Sequence, residues 1–91
     1  MANIIITGAN EGIGYYMVEK LLLDGNKVSV LDIETANLDN LKKRFASNLI
    51  YYKADLRNEE EVKIAVCETS TKFGSIDIAV HNACKCTFRS E

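Results

Sequence analysis

Apolar residues in this chain come in alternating blocks of two different periods. Ile4, Ile5 and Ile6 form an unbroken β-branched run, the pattern of a strand covered on both faces in a parallel sheet. Ile13, Tyr16, Met17, Leu21 and Leu22 then recur at helical spacing. They predict a helix from about Gly12 to Leu23, stopped by Asp24-Gly25-Asn26. Tyr16 falls on the apolar stripe and is expected in the core, with Lys20 reaching to solvent. Lys27 to Leu31 (Lys-Val-Ser-Val-Leu) returns to a strand pattern, and Asp32 closes it. A thin stripe of Leu38, Leu41 and Phe45 predicts a second helix over about Leu38 to Ala46, on which Lys42, Lys43 and Arg44 form a solvated face. Leu49 to Lys53, aromatic and β-branched, reads as the third strand. Asn58 followed by Glu61 is an N-cap signal, and Val62, Ala65, Val66, Thr69 and Phe73 then mark one face of a long helix ending at Gly74. Ser75 to Val80 is the fourth strand.

Strands alternating with helices imply parallel pairing through right-handed crossovers, with a spatial order of 3-2-1-4. The fold class is therefore α/β, a doubly wound parallel sheet reaching about four strands, and residues 1–91 form a single domain.

Between the first strand and the first helix stands a glycine turn. Gly8, Gly12 and Gly14 supply positive φ and close approach of backbone N–H groups. A turn that opens a helix N-terminus presents aligned amides and the positive dipole end to an anion. Asp32 lies at roughly the 20-residue interval at which dinucleotide folds place a carboxylate on the adenosine ribose. The simpler reading of Asp32 is a turn or capping carboxylate. The glycine spacing is Gly-x-x-x-Gly-x-Gly preceded by Thr7, not G-x-G-x-x-G.

Four stretches together carry a family resemblance. Thr7 to Gly14 resembles the T-G-x-x-x-G-x-G signature of the short-chain dehydrogenase/reductase family. Asp32 is similar to its ribose-binding acid, and Asp55-Leu56 to the pair placed beside the adenine. His81-Asn82-Ala83-Cys84 resembles the N-N-A-G motif, with His for the first Asn and Cys for the Gly. The resemblance implies a Rossmann-like dinucleotide-binding domain and hydride transfer between NAD and an alcohol or carbonyl substrate. It carries a cofactor-binding role to Gly8, Asn10, Gly12, Ile13, Gly14, Asp32, Asp55, Leu56, Asn82 and Ala83. An acid at position 32 repels a 2′-phosphate, Glu11 stands in the glycine turn and no arginine flanks Asp32, so NAD is expected over NADP.

Composition narrows the alternatives. An apolar content of 47%, a charged content of 26% and a net charge of −2 over 91 residues describe an ordinary globular domain and argue against nucleic-acid or anionic-membrane partners. Neither a leader pattern nor a membrane span is visible, so a cytoplasmic location is expected. Three cysteines fit free thiols in a reducing compartment better than a disulfide framework. Cys84-x-Cys86 is weak evidence for a metal site or a strained disulfide. Tyr16-x-x-x-Lys20 matches the family's catalytic spacing, but the family's pair lies downstream on another helix, and no catalytic residue is assigned. His81, the single histidine, is read as a backbone anchor at a strand end.

By the resemblance, the catalytic Ser, Tyr and Lys fall beyond the stretch matched here. The chain by itself is expected to hold the cofactor-binding half without catalysing, and to self-associate through the exposed fourth-strand edge or its C-terminal segment. Three readings follow: a fragment or short product of an NAD-dependent dehydrogenase, a non-catalytic nucleotide-binding or self-assembling module, or a remnant that binds nothing.

Overall fold

The isoleucine run becomes the middle of a sheet. A computed structural model describes residues 1–82. Its elements, in chain order, are β1 (Asn3–Thr7), α1 (Gly12–Leu23), β2 (Lys27–Asp32), α2 (Leu38–Phe45), a 3₁₀ turn (Ala46–Asn48), β3 (Leu49–Lys53), α3 (Glu59–Phe73) and β4 (Ile78–His81). The strands are ordered β3-β2-β1-β4, all in parallel. Ile5 lies opposite Ser29 on one side and Ala79 on the other, and Val30 lies opposite Tyr51.

Each face of the sheet has its own cover. On one, Ile6, Val28, Val30 and Leu49 pack under Val18 and Leu22 of α1 and Leu38 and Leu41 of α2. On the other, Ile5 and Leu31 meet Ala65 of α3, joined by Tyr52, Leu56, Val62 and Ile76. Ile4, Ile5 and Ile6 are all buried, as a doubly covered strand requires. Between β2 and α3 one polar contact is sealed into this packing: Ser29 Oγ and Thr69 Oγ1 stand 2.7 Å apart, both fully buried. Two hydroxyls that satisfy each other avoid the cost of burying either alone.

Several boundaries shift from expectation. β4 begins at Ile78 rather than Ser75, because Asn3 pins the preceding turn. Its N–H donates to Asp77 Oδ2 at 2.9 Å, its side-chain amide to Phe73 O at 3.3 Å and to Ser75 Oγ at 3.1 Å, and ladder pairing starts only at Ile4 opposite Ile78. α2 ends at Phe45 because Ala46 takes a positive φ of 48°.

Tyr16 is not in the core. It is 63% exposed, and Ile13 is 79% exposed. The buried line of α1 is Gly14, Val18 and Leu22. Gly14 must face the β1 turn, and Tyr16 is turned away from it by about 200° at roughly 100° per residue. Val66 of α3 is likewise exposed, while Ala65 and Thr69 face the sheet. The caps of α3 do follow the sequence. Asn58 Oδ1 accepts from the N–H groups of Glu60 and Glu61, and Gly74 closes the helix in the left-handed region at φ 91°.

Candidate functional site

Parallel strands place all their C-terminal ends at one edge, and the connections that leave those ends converge there. Gly8 follows β1 with φ 70°, and its N–H donates to Leu31 O at 2.9 Å. Gly12, at φ 67°, starts α1, and a Cβ added to it would meet nothing within 4 Å. Gly14 is different. A Cβ there would lie 2.4 Å from Asn82 Nδ2, 2.6 Å from Gly8 O and 2.9 Å from Ala9 Cα. The first glycine pair thus serves backbone conformation, and the last serves close packing of helix on turn.

Asn82 sits at the end of β4 and closes the turn from the far side. Its amide donates to Gly8 O at 2.8 Å and its N–H to Thr7 Oγ1 at 3.0 Å. His81 Nδ1 stands 3.1 Å from the same hydroxyl, so this contact is with the Thr7 side chain rather than with backbone. Ala83, Cys84 and Cys86 lie outside the described residues.

Asp32 ends β2 with its carboxylate held at both oxygens. Oδ2 accepts from the N–H of Asn10 at 3.1 Å and Oδ1 from the N–H of Glu34 at 3.0 Å. Each oxygen keeps further acceptor capacity. The sequence signals missed one partner in this arrangement, Asn37. Its N–H donates to Asn10 Oδ1 at 2.9 Å, and its amide donates to Asn10 O at 3.0 Å. Asn10, 7% exposed, is thereby a buried polar residue with its carbonyl groups satisfied. A shallow cleft of about 310 Å³ opens beside it, lined by Asn10, Glu11, Gly12, Tyr15, Asn37 and Asn40.

The two longer helices differ at their N-termini. Asn58 caps α3, whereas no side chain among the described residues caps α1 at Glu11. The first N–H groups of α1 thus lack a side-chain cap among the described residues, leaving a helix N-terminus of the kind that takes up an anion. Ile13, exposed at that first turn, flanks them.

Asp55 and Leu56 follow β3 at the same edge. Asp55 is paired with Arg57, with Arg57 Nη2 donating to Oδ2 at 3.0 Å, and this guanidinium holds the carboxyl below the usual carboxylate range. Its N–H donates to Glu61 Oε1 at 2.8 Å, which fixes the start of α3. Leu56 is half-buried against the α3 face. Tyr16 and Lys20 lie on α1, both exposed, well separated in role from the strand ends. The described residues contain no cluster of three or more metal-ligating side chains and no helix long and apolar enough to cross a membrane.

This fold and edge define a doubly wound α/β protein of Rossmann topology, with a glycine turn after the first strand and an acid after the second. Residues 2–90 match the family profile described as short chain dehydrogenase. The chain belongs to that family. It is 36% identical over 80 residues to 2,5-dichloro-2,5-cyclohexadiene-1,4-diol dehydrogenase of Sphingobium indicum, an alignment covering 88% of this chain and 32% of that protein. Among solved structures it resembles an apo SCOR enzyme from Clostridium thermocellum, with a TM-score of 0.83 and 30% identity, covering 94% of this chain and 35% of that one. It also resembles 3-ketoacyl-(acyl-carrier-protein) reductase from Brucella melitensis complexed with NADH, with a TM-score of 0.76 and 30% identity, covering 84% and 31%. The chain spans about a third of the length of the curated relatives it matches.

Proposed function

We propose that these residues bind the adenosine diphosphate part of NAD, as the first part of an oxidoreductase that moves a hydride between NAD and an alcohol or carbonyl substrate. The observation that carries the reading is the hydrogen bond from Asn10 N–H to Asp32 Oδ2, which joins the glycine turn and the acid into one surface. The uncapped N-terminus of α1 suits a pyrophosphate, and the free lone pairs of Asp32 suit ribose hydroxyls. The fit is chemical as well as spatial, since the space over Gly12 is clear and Gly14 lets helix and turn close together. NADH in the Brucella reductase is in keeping with this. The nicotinamide supplies the hydride chemistry when bound, and the residues here hold and orient its adenosine end.

The preference for NAD over NADP rests on charge. Glu11 lines the cleft and Asp32 is bonded to Asn10 at its edge, so a 2′-phosphate bound against Asp32 meets a carboxylate, with no arginine flanking that position in the sequence. Calorimetric titration of the 91-residue chain with NAD, NADP and ADP-ribose tests the proposal. Binding of NAD and ADP-ribose in the micromolar to millimolar range, weaker for NADP and abolished by Asp32→Ala, is the expected result. No heat with any of the three overturns it.

We further propose that β4 mediates self-association. It is one of the sheet's two edge strands among the described residues, with Ile78 47% exposed, and an unprotected apolar edge is a template for a second copy. A monomeric mass at high concentration refutes this.

A further inference from the structure

Asn37 is absorbed neither by the glycine turn nor by the acid, yet it connects them. Asp32 is clamped by N–H groups from two different loops: Asn10 in the turn after β1 and Glu34 in the connection after β2. Asn37 ends that second connection and crosses to the first, donating from its backbone to Asn10 Oδ1 and from its amide to Asn10 O. It sits where a helix cap would sit, but with an αR backbone and no side-chain bond to its own helix. Its backbone N–H and its side-chain amide both donate across the cleft to Asn10, which in turn bonds Asp32, 22 positions further on.

We propose that Asn37 is a positioning residue for cofactor selection, fixing the aim of the Asp32 carboxylate by locking the two loops that hold it. This rests on the reading that Asp32 accepts the adenosine ribose. A carboxylate held at both oxygens cannot swing away, so a 2′-phosphate must meet its charge at close range. Once the loops are released, the carboxylate can rotate or retreat, and the penalty against the phosphate relaxes while binding of the common pyrophosphate is retained. The effect is therefore on the ratio of the two affinities rather than on fold or on binding in general.

The test is the ratio Kd(NADP)/Kd(NAD) by calorimetry, with NAD and NADP themselves as probes. Asn37→Ala removes the amide bond to Asn10 O and lowers the ratio about three- to tenfold, the worth of one hydrogen bond. Asn10→Ala, which removes the acceptor of the backbone bond, moves it in the same direction. In an Asp32→Asn background, which keeps a hydrogen-bonding side chain of the same shape but removes the charge, Asn37→Ala leaves the ratio where Asp32→Asn alone set it, because its influence passes through that carboxylate. A purely structural role would weaken both ligands alike and leave the ratio fixed in either background. A ratio unchanged in Asn37→Ala, with the unaltered chain binding NAD, overturns this inference and spares the proposed function. Failure of the unaltered chain to bind either dinucleotide overturns both.

Discussion

Gly12 and Gly14 belong to one motif, but the structure gives them opposite reasons for being glycine, and substitution separates the two. Alanine at position 14 places a Cβ 2.4 Å from Asn82 Nδ2, 2.6 Å from Gly8 O and 2.9 Å from Ala9 Cα. The amide of Asn82 can swing aside, at the loss of its 2.8 Å bond to Gly8 O. The carbonyl and the Cα cannot move without moving the glycine turn. Overpacking of this kind costs about 1–3 kcal/mol, and the lost hydrogen bond about 1 more. Alanine's better helix propensity returns up to about 1 kcal/mol. The net expectation is a loss of about 1–4 kcal/mol, or a fall of roughly 5–30 °C in the unfolding midpoint of a domain this size.

At Gly12 a new Cβ meets nothing within 4 Å, and the obstacle is φ of 67°. Alanine there costs about 1–2 kcal/mol of left-handed strain. Asparagine, which tolerates that region, costs less. At Gly14 the order inverts, since asparagine adds bulk where even a methyl has no room. Urea unfolding followed by far-UV circular dichroism of the four single variants reads this directly. Asparagine less harmful than alanine at position 12 and more harmful at position 14 is the predicted crossing. The same order at both sites would refute the division of labour. Adding Asn82→Ala to Gly14→Ala should recover little, because the two backbone contacts remain; a full recovery would mean the side chain alone had set the limit.

Two further outcomes follow from polar contacts elsewhere. Thr69→Val strands the buried Ser29 hydroxyl and should cost about 1–3 kcal/mol, whereas Ser29→Ala with Thr69→Val should lie well below the sum of the single losses; additive losses in urea titration would show that the pair does not act as a unit. Tyr51 donates its hydroxyl to Asp39, and that bond, with a smaller contribution from burial and the nearby charge, holds the phenol above its ordinary value of 10.0. The protonated phenol is favoured in the folded state, so this stabilisation is complete below pH 10 or so and is lost as pH rises through the raised value. Tyr51→Phe should flatten the alkaline limb of the stability profile, and an unchanged limb would refute the contribution.

Periodicity was enough to locate seven elements and their order, because burial on both faces of a parallel sheet leaves so plain a mark as Ile4-Ile5-Ile6. It could not fix the rotation of α1. Counting apolar positions favoured a stripe through Ile13 and Tyr16, but the helix is oriented by a residue with no side chain, Gly14, whose close approach to Gly8 and Ala9 decides which face turns inward. The start of β4 was equally hidden, since three bonds from Asn3 hold the preceding turn off the ladder. Asn37 left a signal of the wrong kind. An Asn ahead of a helical stripe reads as a cap, and only the fold shows that its bonds go to Asn10 instead.

The sheet's parallel order has a consequence for how binding and chemistry divide along the chain. Residues 74 positions apart, Gly8 and Asn82, share a hydrogen bond because β1 and β4 are neighbours that end at the same edge. The groups proposed for the adenosine end, from the glycine turn through Asp32 and Asp55 to Asn82, are therefore gathered within the first four strands. On the proposed reading, recognition of the adenosine end falls to these strand-end loops. Affinity for ADP-ribose, which lacks the nicotinamide, is the quantity this chain should keep if its own loops set the geometry, and the quantity it should lose on Asp32→Ala.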